Sequence, residues 1–209
     1  MKIAVFGGLG KLGSAIIENL KDLYDFAVFD SKNGNTNCNF ADFDLVIDAS
    51  THQNSVVLAK ACVQTKTPLL VCATGHTKKE LLALEKLKKQ TKIEICPNLS
   101  RGVNTIVEWL ENARFDNCKI SIFERHHTQK KDSPSGTALW LKKAANKIDN
   151  STEIVSSRFG DDVGTHVITL DMPHEQITII HKAKDRSVFA LGAKYKIENL
   201  LRENSAYEN

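Results

Sequence analysis

The sequence predicts an α/β fold with two domains, and three observations lead to this prediction. In the first hundred residues, short apolar runs alternate with helical segments, which is typical of an open parallel sheet with helices on both faces. A glycine-rich turn at residues 7–13 directly follows the first apolar run. After residue 150, three strand-like segments follow a single helix, which indicates a mixed or antiparallel sheet in a separate α+β domain.

Short apolar runs predict five strands in the first half of the chain, at residues 2–6, 26–29, 45–49, 69–73 and 93–96. Helical spacing of apolar residues predicts helices at residues 56–63 and 80–89, and a first helix with one apolar face formed by Leu12, Ile16, Leu20 and Leu23. Residues 31–43 are rich in Asn and Gly and show no helical period. We therefore expect the usual second crossover helix to be missing or reduced to a turn.

The second half is predicted to begin with a helix at residues 106–113 and a strand that contains Ile120 and Ile122. A helix at 138–148, strands at 154–159, 166–172 and 176–183, and a final helix at 190–202 follow. The change from alternating strands and helices to a strand-rich pattern places the boundary between the two domains near Ser100.

Composition excludes several classes of function. The net charge is only +3, and no basic run is interleaved with aromatic residues, so no nucleic acid is expected as a partner. No apolar run is long enough for a membrane span, and no signal peptide precedes the first strand, so we expect a cytoplasmic protein without a membrane partner. The five cysteines form no C-x-x-C pair and do not cluster with histidines, and H-E-x-x-H is absent, so no metal is expected.

The glycine-rich turn has the spacing of a dinucleotide-binding fingerprint. Gly8-x-Gly10-x-x-Gly13 lies between a strand and a helix, which predicts a Rossmann-type domain. Asp30 follows Gly10 by twenty residues, where an acidic side chain binds the adenosine ribose and favours NAD. The next residues, Ser31 and Lys32, could hold a 2′-phosphate. NADH and NADPH therefore both remain open as cofactors.

The segment with the most chemistry is Phe-Glu-Arg-His-His-Thr-Gln-Lys-Lys-Asp-Ser-Pro-Ser-Gly-Thr, at residues 123–137. Asp132 and Ser133 are predicted to cap a helix, with Pro134 in its first turn. The N–H groups of residues 135–137 would then be donors at the positive end of a helix, which binds carboxylate or phosphate. With two histidines and two lysines beside it, the loop suits a dianionic substrate that must be protonated.

This loop resembles the signature of the 4-hydroxy-tetrahydrodipicolinate reductase family, also called dihydrodipicolinate reductase, which reads Glu-x-His-His-x-x-Lys-x-Asp-x-Pro-Ser-Gly-Thr-Ala. Its fixed positions are filled here by Glu124, His126, His127, Lys130, Asp132, Pro134, Ser135, Gly136, Thr137 and Ala138. Residues 98–104 resemble the family's Asn-Phe-Ser-x-Gly-Val-Asn, and residues 181–190 its His-Lys-Ala-x-x-Arg-x-x-Phe-Ala. Two departures are a compressed segment at 150–164 and Thr165 in place of an acid in Val-Gly-x-His.

The resemblance implies NADH- or NADPH-dependent reduction of 4-hydroxy-tetrahydrodipicolinate, a small dicarboxylate, in lysine and diaminopimelate biosynthesis. It implies a homotetramer, with residues 1–99 and 187–209 binding the dinucleotide and residues 100–186 binding substrate and partner subunits. His126 is the candidate acid, and Lys130 would donate a proton or hold developing negative charge. His127 would hold one substrate carboxylate, and Gly136 and Thr137 the other. The predicted cofactor-binding residues are Gly7, Gly8, Leu9, Gly10, Lys11, Leu12, Asp30, Cys72, Ala73, Thr74, Cys96, Pro97, Asn98 and Leu99.

Two other functions stay open at this point. The compressed segment at residues 150–164 allows a catalytically silent dinucleotide-binding sensor or regulatory module. An aldehyde-type dehydrogenase is a second alternative, although no cysteine lies in a convincing nucleophile setting.

Overall fold

The computed structural model of the chain describes residues 1–30 and 39–202. Contacts divide the chain into two compact units. The first contains Met1–Leu99 together with the chain from Phe189 onward, and the second contains Ser100–Val188. Each unit has its own sheet and its own core.

The first unit is built on a five-stranded sheet in the order β2-β1-β3-β4-β5, and every strand pair is parallel. Its strands are β1 (Lys2–Phe6), β2 (Asp25–Phe29), β3 (Leu45–Asp48), β4 (Leu69–Val71) and β5 (Ile93–Ile95). The connecting helices are α1 (Lys11–Leu20), α2 (His52–Thr65) and α3 (Lys78–Leu87), with a short 3-10 turn at Phe40–Asp42. The predicted open parallel sheet is confirmed.

Helices cover both faces of this sheet because its strands are apolar on both sides. On one face, α1 packs beside the last helix, α6 (Ser187–Arg202), of which residues from Phe189 onward belong to this unit. On the other face lie α2 and α3, through Leu58, Cys62 and Leu84. The helices pack on the two faces of the sheet, and the carboxyl ends of the strands are where open α/β sheets bind ligands.

The second unit contains a four-stranded mixed sheet in the order β7-β6-β8-β9. Its strands are β6 (Lys119–His126), β7 (Glu153–Arg158), β8 (Thr165–Asp171) and β9 (Gln176–Lys182). The β6–β7 pair is parallel and the other two pairs are antiparallel, so the predicted α+β arrangement is confirmed. Helices α4 (Arg101–Asn112) and α5 (Gly136–Ala145) share a core with one face of the sheet.

The structure corrects two local predictions. Helix α5 begins at Gly136 and is capped by Ser135, whose side chain accepts a hydrogen bond from the N–H of Ala138. Asp132 and Ser133 are therefore not the caps, and Pro134 precedes the helix. Helix α1 ends at Leu20, so Leu23 is not on its apolar face and is 53% exposed.

The prediction that the second crossover helix is missing or reduced to a turn concerns residues 31–43, of which residues 31–38 lie outside the described part of the chain. The described part, from residue 39, contains only the 3-10 turn before β3. Ser31 and Lys32, the predicted 2′-phosphate contacts, also lie outside the described residues.

Candidate active site

Strand register places a set of polar side chains together at one end of the mixed sheet. Glu124 on β6 pairs with His166 on β8, which in turn pairs with His181 on β9. His126 lies two residues beyond Glu124, so its side chain points to the same side of the sheet. This is the helix-covered side, where Ile120 and Ile122 are buried earlier on the same strand. The polar set therefore continues a row of core positions.

Glu124 is fully buried and is held by three hydrogen-bond donors. Arg158 Nη1 donates to its Oε1 at 2.8 Å, and the N–H of Ser135 lies 3.4 Å from the same atom. His126 Nδ1 forms a short hydrogen bond to Oε2. Burial acts to raise the pKa of Glu124, but these donors outweigh it and lower the pKa below its usual value. Glu124 is therefore an ionised carboxylate within a buried ion pair.

The bond to Glu124 determines which nitrogen of His126 can exchange a proton with a ligand. An ionised carboxylate only accepts hydrogen bonds, so Nδ1 carries a proton and Nε2 is the atom available for acid–base chemistry. Burial lowers the pKa of His126, and the nearby cations Lys130 and Arg158 act in the same direction, while Glu124 opposes them. His126 is accordingly a neutral imidazole at pH 7 in the free protein.

Two further histidines extend this set across the sheet. The ring centroid of His166 lies 5.2 Å from that of His126 and 5.9 Å from that of His181. His181 Nε2 is 3.0 Å from the hydroxyl of Ser100, the residue that caps α4. Burial lowers the pKa of His166 to about 4, and the neighbouring imidazoles act in the same direction. All three imidazoles are neutral at neutral pH in the free protein, because burial also lowers the pKa of His181.

The stability of the protein should therefore fall as the pH is lowered from about 7 toward 4. The unfolded chain binds a proton at each histidine near pH 6.5, whereas folded His166 takes one only near 4. Protonation therefore favours the unfolded chain below pH 6.5. From His166 alone, the free energy of unfolding should fall by about 2 kcal/mol between pH 7.5 and pH 5. Urea denaturation at several pH values measures this loss.

In His166→Phe, the free energy of unfolding should change about 2 kcal/mol less over the same pH range. The matched control is His174→Gln, since His174 is exposed between β8 and β9. An equal pH dependence in wild type and His166→Phe would contradict the assignment.

Glu124, His126 and His166 also have the residue types of a transition-metal site, and their donor atoms lie within 4.8 Å of one another. Arg158 already neutralises the Glu124 carboxylate at 2.8 Å, so a divalent cation would be placed beside a guanidinium. His126 Nδ1 is bound to the same carboxylate. We interpret the set as a hydrogen-bonded acid–base network, in which His126 is oriented by Glu124.

The loop after β6 brings a second charged pair to the start of α5. Lys130 Nζ lies 2.9 Å from Asp132 Oδ1, and Lys130 is half-buried while Asp132 is exposed. The pKa of Asp132 is lowered: partial burial opposes the charge, but hydrogen bonds from Lys130 and from the N–H of Gly136 outweigh it. In the free protein, the Asp132 carboxylate thus lies where the sequence predicts a substrate carboxylate, between Lys130 and the N-terminus of α5.

His127 is half-buried, and its backbone N–H donates to the backbone carbonyl of Asp162 at 2.7 Å. Asp162 also binds Arg125 at 2.8 Å and the hydroxyl of Thr165 at 2.9 Å. The compressed segment at residues 150–164 therefore carries two residues that shape the loop, Asp162 and Arg158.

In the first unit, the glycine-rich turn is shaped by close backbone approaches. Gly7 has a φ of +77°, and a Cβ at this position would lie 2.6 Å from the carbonyl oxygen of Ala49. A Cβ at Gly13 would lie 2.4 Å from the carbonyl oxygen of Gly7, so only glycine lets α1 pack this close to the turn. No described side chain caps α1, whose N-cap is Gly10. The positive end of α1 is therefore directed at the space beyond β1, as a pyrophosphate requires.

Asp30 follows β2 directly, and its Oδ2 accepts a hydrogen bond from the N–H of Leu9 at 3.3 Å. The predicted ribose-binding carboxylate is thus held against the predicted pyrophosphate-binding turn.

The predicted cofactor-binding residues that follow β4 and β5 differ in their exposure to solvent. Cys72, Ala73, Cys96 and Leu99 are buried, and Thr74 and Pro97 are exposed.

Another buried carboxylate lies at the end of β3. Asp48 accepts hydrogen bonds from the N–H and hydroxyl of Ser50 and from the hydroxyl of Ser55 at 2.6 Å. Its carbonyl accepts hydrogen bonds from the N–H groups of Cys72 and Ala73. His76 Nε2 lies 2.8 Å from the Ser55 hydroxyl. This network connects the segments that follow β3 and β4.

Among the described residues, no helix is long and apolar enough to span a membrane. The described cysteines, Cys62, Cys72, Cys96 and Cys118, are buried, and no disulfide joins any two of them.

Comparison with known families agrees with both units. The family model described as "Dihydrodipicolinate reductase, N-terminus" matches residues 1–99, and the one described as "Dihydrodipicolinate reductase, C-terminus" matches residues 102–208. The chain belongs to the dihydrodipicolinate reductase family. Together the two models match nearly the whole chain, including the glycine-rich turn and the histidine loop.

The chain and its relatives in this family match over most of their lengths. A 4-hydroxy-tetrahydrodipicolinate reductase from Thermosipho africanus is 33% identical over 218 residues, covering 99% of this chain and 94% of the relative. Another, from Caldanaerobacter subterraneus subsp. tengcongensis, is 30% identical over 225 residues, covering 92% and 90%. A dipicolinate-bound dihydrodipicolinate reductase from Paenisporosarcina sp. TG-14 has the same fold, with a TM-score of 0.79, 19% identity and coverage of 97% and 95%.

Sequence reasoning singled out the loop of this dihydrodipicolinate reductase family member but missed residues that build its surroundings. Arg158, His166 and Asp162 were not predicted as site residues, and Glu124 was read only as part of the signature. The alternation of residues along β6 could have indicated Glu124 and His126, because they lie at every second position after Ile120 and Ile122 and so share their buried face. Their partners lie on other strands, so nothing in their own segments indicated the pairing.

Proposed function

We propose that the protein reduces 4-hydroxy-tetrahydrodipicolinate to tetrahydrodipicolinate in lysine and diaminopimelate biosynthesis, with NADH or NADPH as the reductant. The observation that carries this proposal is the match of both halves of the chain to one reductase family. The geometry of the histidine loop agrees with that chemistry, since it combines a buried Glu–His pair, an ammonium group and a helix N-terminus.

The dinucleotide is proposed to bind at the carboxyl ends of β1 and β2. The glycine-rich turn lets backbone approach a pyrophosphate, and the positive end of α1 favours its charge. Asp30 would accept hydrogen bonds from the ribose hydroxyls, which favours NADH. When bound, the reduced nicotinamide supplies the hydride.

The substrate is proposed to bind by its two carboxylates. One would take the place of Asp132 at the N-terminus of α5, beside Gly136 and Thr137, and the other would bind His127. Two negative charges brought close to His126 raise the affinity of its imidazole for a proton. Binding of substrate therefore converts neutral His126 into the acid that the reaction needs.

Proton transfer is proposed to run from His126 Nε2, because Nδ1 is held by Glu124. Glu124 stabilises the imidazolium that forms on substrate binding and keeps the ring oriented. The Lys130 ammonium, released from Asp132, would stabilise negative charge that develops as the C=N system is reduced, or would itself donate a proton.

A coupled assay tests the function. Substrate is generated from pyruvate and aspartate semialdehyde by the preceding synthase, and the loss of reduced-nicotinamide absorbance is followed with NADH and NADPH separately. Oxidation that depends on the synthase supports the reductase, and the ratio of the two rates gives the cofactor preference. If NADH binds without any oxidation, the chain is a dinucleotide-binding sensor and the proposal is wrong.

We also propose that the exposed face of the mixed sheet forms a homotetramer. One row of apolar side chains, hereafter the apolar row, crosses all four strands of this face: Val155, Phe123, Val167 and Ile180 are successive partners in register. Val155 is 60% exposed and Ile180 is 67% exposed. A continuous exposed apolar row on a sheet favours burial against another subunit.

Replacing Ile180 with lysine should break this assembly. A lysine ammonium buried within the interface is an unpaired ion, so the subunit dissociation constant should rise about 30-fold or more. Sedimentation velocity over a range of protein concentrations measures it. Leu82→Lys is the matched control, because Leu82 is a 65% exposed apolar residue on α3, outside the apolar row. Equal assembly of both variants would contradict the proposed interface.

A further inference from the structure

Three imidazoles form a row that leads from a half-exposed position to a buried one. His181 is half-exposed, whereas His166 is 3% and His126 is 6% exposed. The rings follow one another at centroid distances of 5.9 and 5.2 Å. The proposed acid is therefore at the inner end of the row, largely shielded from direct contact with solvent.

Three nitrogens of this row have no hydrogen-bond partner among the described protein groups. They are both ring nitrogens of His166 and Nδ1 of His181, and all three atoms are buried. Leaving a buried polar atom unpaired costs about 1–3 kcal/mol, so native proteins rarely accumulate such atoms without a reason. A histidine row with a purely structural role would be expected to have these nitrogens paired to protein groups, as Nδ1 of His126 is.

The inner end of the row borders the reactive atom of His126. A Cβ built on Gly164 would lie 3.0 Å from His126 Nε2 and 3.7 Å from Cε1 of His166. Both atoms therefore face the same small space. Cε1 lies between the two ring nitrogens of His166, so either a bridging water or a small rotation of the ring connects these nitrogens to His126 Nε2.

We propose that His166 and His181 return a proton to His126 after each turnover. This inference rests on the proposed function, in which His126 Nε2 gives a proton to the substrate. His166 then passes a proton to Nε2 of His126 from one ring nitrogen and accepts one at its other nitrogen from the side of His181. The proton enters from solvent at the half-exposed end, and one proton is taken up for each proton transferred to substrate. His166 acts through His126 and does not touch the substrate.

The charges around His166 suit a ring that passes a proton without keeping it. Glu124 and His126 face it from β6, His181 from β9, and Asp162 from the segment before β8. The two carboxylates are each already bound to an arginine. Burial keeps the pKa of His166 low, so the ring remains neutral between transfers and does not hold charge against the proposed acid.

Two variants separate proton passage from packing. His166→Phe keeps an aromatic ring and removes both nitrogens. His166→Gln keeps a polar donor and acceptor, but an amide does not accept a proton at one end and release one at the other. His174→Gln, on the exposed turn between β8 and β9, is the control.

The experiment compares the first turnover with steady state. The protein is incubated with synthase-generated substrate and then mixed rapidly with reduced nicotinamide. In both His166 variants, we expect a first turnover at the wild-type rate and a steady-state rate that falls about tenfold or more, because general acid transfer is worth at least ~100-fold. Added imidazole should restore the steady-state rate. Equal loss in both phases, no loss, or wild-type steady state in His166→Gln would overturn the relay.

A second measurement keeps this inference separate from the proposed function. Exchange of a proton on His126 Nε2 with solvent is followed by NMR on folded, 15N-histidine-labelled wild type and His166→Phe, at a pH low enough to protonate this imidazole. We expect this exchange to slow about tenfold in the variant, which matches the loss in steady-state rate expected from the same change. If wild type shows no turnover, the proposed function fails, and unchanged exchange overturns the relay on its own.

Discussion

Lys130→Ala is expected to lower kcat by about 100- to 10,000-fold while the affinity for NADH stays unchanged. The reason is that Lys130 lies in the histidine loop of the second unit, and its ammonium is bound to Asp132 at the N-terminus of α5. It is therefore placed to act on the substrate. Steady-state kinetics in the coupled assay and NADH titration by fluorescence measure the two quantities separately.

Lys131→Ala is the matched control for this prediction, because Lys131 is the next residue, carries the same charge and is exposed. The control should keep wild-type kcat. Added alkylamine should restore part of the activity of Lys130→Ala if a positive charge at that point is what the reaction needs. A large loss of NADH affinity, or equal losses in the two variants, would contradict the role assigned to Lys130.

Gly192→Ala is expected to have the largest effect on stability. Gly192 lies inside α6, and a Cβ there would be 1.6 Å from the carbonyl oxygen of Leu99 and 2.6 Å from its carbonyl carbon. These are backbone atoms, so neither can rotate away as a side chain does. The added methyl group must push α6 from the sheet, at a cost of at least about 3 kcal/mol.

For a chain of this size, that cost corresponds to a fall in Tm of about 6–12 °C, or to a protein that is not recovered folded. Because Leu99 is a predicted cofactor residue, NADH affinity should fall as well. Gly136→Ala is the control for stability, since no atom lies within 4 Å of the Cβ that it would gain. A melting temperature for Gly192→Ala within a degree of that control would show that α6 does not pack against Leu99 as described.

The contrast between these glycines shows how far sequence reasoning reaches. The glycines of the first turn were recognisable because their spacing, the strand before them and the helix after them lie within about twenty residues. Gly192 carries no such local signal. Its requirement comes from a close approach to Leu99, ninety-three residues away in sequence, and only the packed helix reveals it.

The start of α5 shows the same limit at shorter range. Asp132, Ser133 and Pro134 have the composition of a helix start, so propensity placed the cap two or three residues too early. In the folded chain, the N–H of Ser135 faces Glu124, and Asp132 is bound to Lys130. These contacts within the loop and with β6 outweigh the local preference, because capping is worth only about 1 kcal/mol.

The order of residues along the chain was enough to predict the strands and helices of each unit and the loop at the centre of the proposed chemistry. Apolar periodicity predicted the parallel sheet and the mixed sheet, because the side-chain periods of strands and helices are properties of consecutive residues. The histidine loop was recognisable because its residues are contiguous. The folded chain is needed to show that Arg158 keeps Glu124 ionised, that Glu124 orients His126, and that His166 and His181 continue the row. These residues come from four strands, and strand register, which places them side by side, depends on contacts between segments that lie far apart in the chain.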